Sequence, residues 1–195
     1  GEGVFGFGEN FGTLTFSNND ISDYVKNGIF IPGVSGATTG TAEIFGNTVS
    51  GPNAVTVDED VPVATSAGGT AAALDASGAE SLAAANTLAA NFAVFAGGNV
   101  TFVPDAAAAE AAALADAANS TVVDLSSGNF AVYEGMSIQA AVDAAADGDT
   151  IVVGAGDFSA EGRIVFADKS LTITGVLEGV SPTADNWASQ SDETV

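Results

Sequence analysis

The stretch TLTFSNNDIS at residues 13–22 returns as TAEIFGNTVS at residues 41–50, an offset of 28 from Thr13 to Thr41. Each copy is followed by a matching second segment, NGIFI at 27–31 and NAVTV at 53–57. A repeat of this length marks a solenoid, in which every unit covers the hydrophobic face of its neighbour. Within the first copy Leu14 and Phe16 alternate with Thr13 and Thr15, the period of two that a strand requires. Asn19 and Asn47 fall at the same repeat position. Asparagines stacked in a solenoid turn hydrogen-bond along the axis and satisfy backbone groups that a tight turn leaves open. The competing reading is two ordinary hairpins with Asn in their turns.

Beyond this first region, residues 1–63, the composition changes. Residues 64–120 carry two alanine-rich stretches, Thr70–Ala90 and Asp105–Asn119, which read as helices. Pro104-Asp105 gives a start signal for the second, and Gly78 is expected to interrupt the first. Between them Phe92–Phe95 and Asn99–Val103 read as strands around the turn Gly97-Gly98. The expectation is a small α+β insert or linker domain.

Residues 121–195 return to strands. Ser137 can cap a short helix whose apolar positions Ile138, Ala141, Val142 and Ala145 share one face, and Asp147-Gly148 ends it with a left-handed turn. Strands are expected at Thr150–Val153, Arg163–Phe166 and Ser170–Thr174. The inward set over both strand regions is Leu14, Phe16, Ile21, Ile29, Ile31, Ile44, Val49, Ile151, Val153, Ile164 and Leu171.

Charge narrows the function. The 195 residues include 25 acidic side chains and 3 basic ones, Lys26, Arg163 and Lys169, for a net charge of -22. A phosphate track cannot be neutralised by three cations, so nucleic-acid binding is excluded, and an anionic membrane surface is disfavoured for the same reason. With 47% hydrophobic residues the chain is no disordered acidic tail. It has no cysteine and no histidine, which removes disulfides, zinc sites of the usual kind and histidine acid–base catalysis. The absence of an initiator Met and of a basic, then apolar leader suggests a mature, processed or excised sequence.

The run SIQAAVDAAADGDTIVVGAGDF (137–158), with IVFADKSLTITG (164–175), resembles the opening of a pectin-lyase-like right-handed parallel β-helix. The resemblance is close over about 40 residues; 13–57 share only the general rung pattern. It implies a short helix plugging the end of the solenoid, with Asp149–Ile151 leading into the first strand, Gly154–Phe158 as its turn, and Lys169–Gly175 as the next strand and turn. Similar stretches recur in very large acidic bacterial surface proteins. A cap and first rung belong at the start of a solenoid, yet here they stand near the end. Reading 136–195 and then 1–57 gives one sensible β-helix, with cap, first rungs, a loop containing Trp187, then regular rungs.

Polysaccharide lyases share that fold and generally use a basic residue with calcium-holding carboxylates; this chain offers only its three cations, and its acidity repels uronates. No carboxylate ladder is visible, since Asp20 and Thr48 occupy equivalent positions. Candidate calcium ligands are the cluster Asp58, Glu59 and Asp60, and the group Asp147, Asp149 and Asp157. The competing and favoured reading is a solvated acidic loop for the first and a helix terminator for the second. Gly154-Ala-Gly156 is no phosphate loop, because no Lys-Ser/Thr follows it. Phe5, Phe7, Phe11 and Trp187 form either a docking surface or core stacks. The expectation is therefore a mainly β chain, a right-handed parallel β-helix with an Ala-rich insert. It would serve as a non-catalytic structural or adhesive module of an extracellular bacterial fibre or giant surface protein, joined head-to-tail to copies of itself. The alternative is a carbohydrate-binding or lyase-like domain.

Overall fold

A computed structural model describes residues 4–5 (backbone only), 12–32, 40–166 and 168–175. Phe7, Phe11, Trp187 and the junction of Val195 with Gly1 lie outside the described residues, as does the side chain of Phe5. The chain is mainly β, with parallel sheets.

Three sheets are visited in turn. The first pass comprises β1 (Val4–Phe5), β2 (Thr13–Ser17) and β3 (Asp20–Ile21). The second is β4 (Ile29–Ile31), β5 (Thr41–Phe45) and β6 (Thr48–Val49). The third is β7 (Val55–Asp58), β8 (Val63–Ala64), the helix α1 (Ala76–Ala84) and β9 (Thr87–Leu88). Strands β1-β4-β7, β2-β5-β8 and β3-β6-β9 each pair in parallel, so each pass lays one strand on every sheet. The 28-residue repeat is realised in the register: Thr13 pairs with Thr41, Phe16 with Ile44 and Ile21 with Val49.

The remaining elements are β10 (Phe92–Ala96), β11 (Asn99–Val103), α2 (Ala106–Ala113), a 3₁₀ turn at Leu114–Asp116, β12 (Thr121–Asp124), β13 (Phe130–Val132), α3 (Ile138–Ala144), β14 (Thr150–Val153) and β15 (Thr172–Gly175). All these strands extend the first sheet, which runs β1-β4-β7-β11-β10-β12-β13-β14-β15. The strands of 64–120 are thus shared among the sheets: β8 and β9 complete the third pass, and β10 and β11 lie in the middle of the long sheet. Gly97 and Gly98, at φ 58° and 74°, form the tight turn of the β10–β11 hairpin, where both central residues need positive φ.

Polarity along the long sheet follows from the pairings. The contacts β7–β11, β11–β10, β10–β12 and β12–β13 are antiparallel, four reversals in succession, and β13–β14–β15 are parallel. An even number of reversals restores direction, so β13, β14 and β15 run the same way as β1, β4 and β7. Directly paired residues share a sheet face. Ile29 pairs with Val55, Phe102 with Ala93, Ala93 with Val123, Val123 with Phe130, Phe130 with Ile151 and Ile151 with Ile173. Val57 pairs with Val100, which ties Val55 and Phe102 to that same face. One apolar face therefore runs the whole length of the sheet.

Two hydrophobic clusters form on it. The first gathers Ile29, Ile31, Ile44, Val49, Val55 and Val57 with Ala79 and Leu82 of α1. The second gathers Phe130, Val132, Ile151 and Val153 with Ile138, Ala141 and Val142 of α3. Val94, Val103 and Val122 lie on the opposite face and pack with Ala109 and Ala113 of α2. Ile21, Ile29, Ile31, Ile44, Val49, Ile151 and Val153 are buried as expected; Leu14, Phe16, Ile164 and Leu171 are only partly so.

Three local expectations change. The first helix spans only Ala76–Ala84, because Asp75 is its N-cap, Ala72 pairs with Val63 instead, and Thr87–Leu88 forms a strand. Gly78 does not interrupt that helix; its N–H takes the Asp75 cap at 2.7 Å, and a glycine in the first turn weakens a helix little. Arg163–Phe166 is not a strand, since the backbone of Val165 bonds the side-chain amide of Gln139, which stands where a neighbouring strand would.

Candidate functional site

A ladder of asparagines links the turns between the second and third sheets. Asn19 Nδ2 donates to Asn47 Oδ1 at 2.9 Å, and Asn47 Nδ2 donates to Asn86 Oδ1 at 2.9 Å. The same two oxygens accept the backbone N–H groups of Asn19 and Asn47, at 3.1 and 3.0 Å. Asn47 Nδ2 also reaches the carbonyls of Phe16 and Phe45, and Asn86 Nδ2 those of Ile44 and Leu82. Each amide thus bridges successive passes, and Asn47 is only 1% exposed. The residue before each of the first two, Asn18 (φ 56°) and Gly46 (φ 67°), adopts the left-handed conformation that Asn and Gly tolerate best. A Cβ at Gly46 would meet only the end of the exposed Asn18 side chain closely, so the positive φ is what favours glycine there.

A second polar feature surrounds α3. Ser137 Oγ accepts the N–H of Ala140 and donates to Glu161 Oε1 at 2.7 Å, while Glu161 Oε1 also takes the N–H of Gln139 at 2.8 Å. At the other end Lys169 Nζ donates to the carbonyls of Val142 and Asp143 at 2.9 and 2.7 Å. An acid at the first turn and a cation at the last suit the helix dipole. Gly148 follows with φ 95°, the left-handed turn expected there. Lys169, considered as a base for a lyase, is thus engaged in closing a helix. Lys169→Ala is expected to lower stability by about 1–2 kcal/mol, read in urea denaturation, because it removes two charge-assisted bonds from orphan carbonyls.

Four of the six candidate calcium ligands accept a hydrogen bond from loop backbone. Asp58 Oδ1 accepts the N–H of Asp60, Asp147 Oδ1 that of Ser170, Asp149 Oδ2 that of Ala146 and Asp157 Oδ1 that of Ser159. Bonds from Ser159 hold the Asp157 carboxyl below its usual range. Glu59 is pushed the other way by desolvation, then by the charges of Asp60 and Asp58. Among the described residues no three such side chains come together around a common point. Glu43, not singled out in the sequence, accepts from Gly68 N–H at 2.7 Å and Thr15 Oγ1 at 2.8 Å, which lowers its pKa.

A groove of about 280 Å³ lies on the outer face of the long sheet, lined by Phe30, Thr56, Asn99, Thr101 and Asp116 among others. Its lining has an aromatic ring and a carboxylate but no cation, whereas a uronate-binding groove calls for a cation. No helix among the described residues is long and apolar enough to cross a membrane. No family model matches the chain, and no curated protein or solved structure matches it either.

Proposed function

We propose that the chain is a non-catalytic structural module of an extracellular bacterial fibre or giant repeat surface protein, built on coils of right-handed parallel β-helix. The observation that carries this reading is the asparagine ladder, which links three successive turns at one corner of the three-sheet circuit. Such a ladder is what turns stacked at strand spacing along an axis would form, and it supports the coil reading. A right-handed sense is the expected one for parallel strands joined through a crossover. A stacked core has no built-in length limit and suits a fibre. The charge of -22 would keep neighbouring fibres apart. Against a lyase stand the engagement of Lys169 with α3 and the cation-free lining of the outer groove.

The test combines imaging with turnover. Electron micrographs of the purified protein should show filaments. Oriented specimens should diffract at about 4.8 Å along the filament axis, the spacing of stacked strands. Pectin and alginate should be left intact. Single particles that cleave either polymer, and lose that activity on Lys169→Ala or Arg163→Ala, would overturn the proposal in favour of the lyase-like alternative.

A further inference from the structure

We propose that the β15 end of one copy receives the β1–β3 end of a second copy, so that each complete coil is assembled from two chains. This rests on the coil reading above and adds its partner, polarity and surfaces.

Three observations point to a second copy as the occupant. The first is polarity: β1, β4 and β7 run in the same direction as β13, β14 and β15, and both sets advance the same way along the sheet. A copy placed with β1 beside β15 therefore continues the sheet in parallel and keeps the same hand. The second is the inner face, which carries Ile29 and Val55 at one end and Ile151 and Ile173 at the other, in unbroken register across the middle. The cores of two copies would meet on the same side. The third is exposure at the outermost described rows. Ile173 is 37% exposed, while its partner Ile151 is fully buried. Leu14 and Phe16 are half-buried, while their partners Ala42 and Ile44 are fully covered. Among the described residues no further row lies beyond either end, and the other end of a second copy would supply one.

The helices fit this division. α3 packs against β12, β13 and β14, before the β15 end, and α1 sits in the last of the three passes. A coil running from one copy into the next would thus begin at α3 of the first and finish at α1 of the second. A two-fold contact, β15 against β15, would pair the edges antiparallel and reverse the advance of the coil, so no coil would continue. The contact is heterologous, and unless it closes into a ring it propagates.

The chain has no cysteine, so introduced thiols report contacts cleanly. Thr172→Cys marks the β15 end; Phe5→Cys and, as a second probe in case the first perturbs folding, Thr13→Cys mark the other. Mixed with a short bis-maleimide, the 172 variant should link to the 5 or 13 variant about tenfold faster than either links to itself, because the contact raises their effective concentration. Ile173→Lys, a charge on the inner face of the edge strand, should abolish those links. Predominant 172–172 links, or links that survive Ile173→Lys, would overturn the inference. If no links form while Asn47→Ala still strongly destabilises the chain, the inter-copy contact is wrong and the coil stands. If both fail, the coil reading falls as well.

Discussion

Ile44→Asp is expected to cost more than about 4 kcal/mol and to leave most of the chain unfolded at ordinary temperature, as read by circular dichroism. Ile44 is fully buried in the middle pass, paired with Phe16 on one side and clustered with Ile29, Val49 and Leu82. A carboxylate there has no cation within the cluster, and its neighbours are hydrocarbon. It must either ionise in an apolar site or fold protonated, and both are costly. The substitution also removes a large apolar side chain from the middle of three stacked layers, so both neighbouring layers lose contact. A variant that melts within a few degrees of the parent would show that the three passes do not share one core.

The parts that were legible in the sequence are those where a local signal and its long-range use coincide. The 28-residue offset became the register of β2 with β5 and β3 with β6, because a constant spacing places equivalent repeat positions in adjacent layers. Asn19 and Asn47 could be matched on that spacing. Asn86 could not, because α1 lengthens the third pass and sets it at an offset of 39 from Asn47 instead of 28. Its only signal was an Asn immediately before the short strand Thr87–Leu88, within an alanine-rich stretch that reads as helix throughout. Arg163–Phe166 misled in the opposite way: its β-branched and aromatic residues look like a strand, but the partner they meet is the amide of Gln139 rather than a backbone. Glu161 as a second cap of α3 lies 24 residues from Ser137, beyond the reach of any local capping pattern. Of the four antiparallel pairings that carry the sheet from β7 to β13, the β10–β11 hairpin showed through its Gly97-Gly98 turn, while the other three left no local trace, since strand direction is not written in side-chain alternation.

Asn47→Ala should lower stability by about 2–4 kcal/mol, a large effect for a polar residue in a turn. The reason is that one buried amide satisfies groups on three passes. Removing it leaves the N–H of Asn19 and the carbonyls of Phe16 and Phe45 without that partner, and withdraws a donor from Asn86. Asn19→Ala should cost less, about 1 kcal/mol, because Asn19 is exposed and its amide meets only Asn47 within the ladder. Asn47→Asp separates the ladder from simple packing, since its volume is nearly unchanged. It keeps an acceptor for Asn19 but turns the donor that faced Phe16, Phe45 and Asn86 into an acceptor, setting oxygen against oxygen. The ionised form is penalised by burial and by those oxygens, so the introduced carboxyl has a raised pKa in the folded state. The fold then binds the proton more tightly than the unfolded chain does, and stability is recovered as pH falls through that window. Urea midpoints for the parent and the three variants, taken across that pH range, should show Asn47→Asp the least stable at neutral pH and moving toward the parent in acid. Equal midpoints for Asn47→Ala and Asn19→Ala, with no pH dependence specific to Asn47→Asp, would mean that the central amide does not hold the passes together.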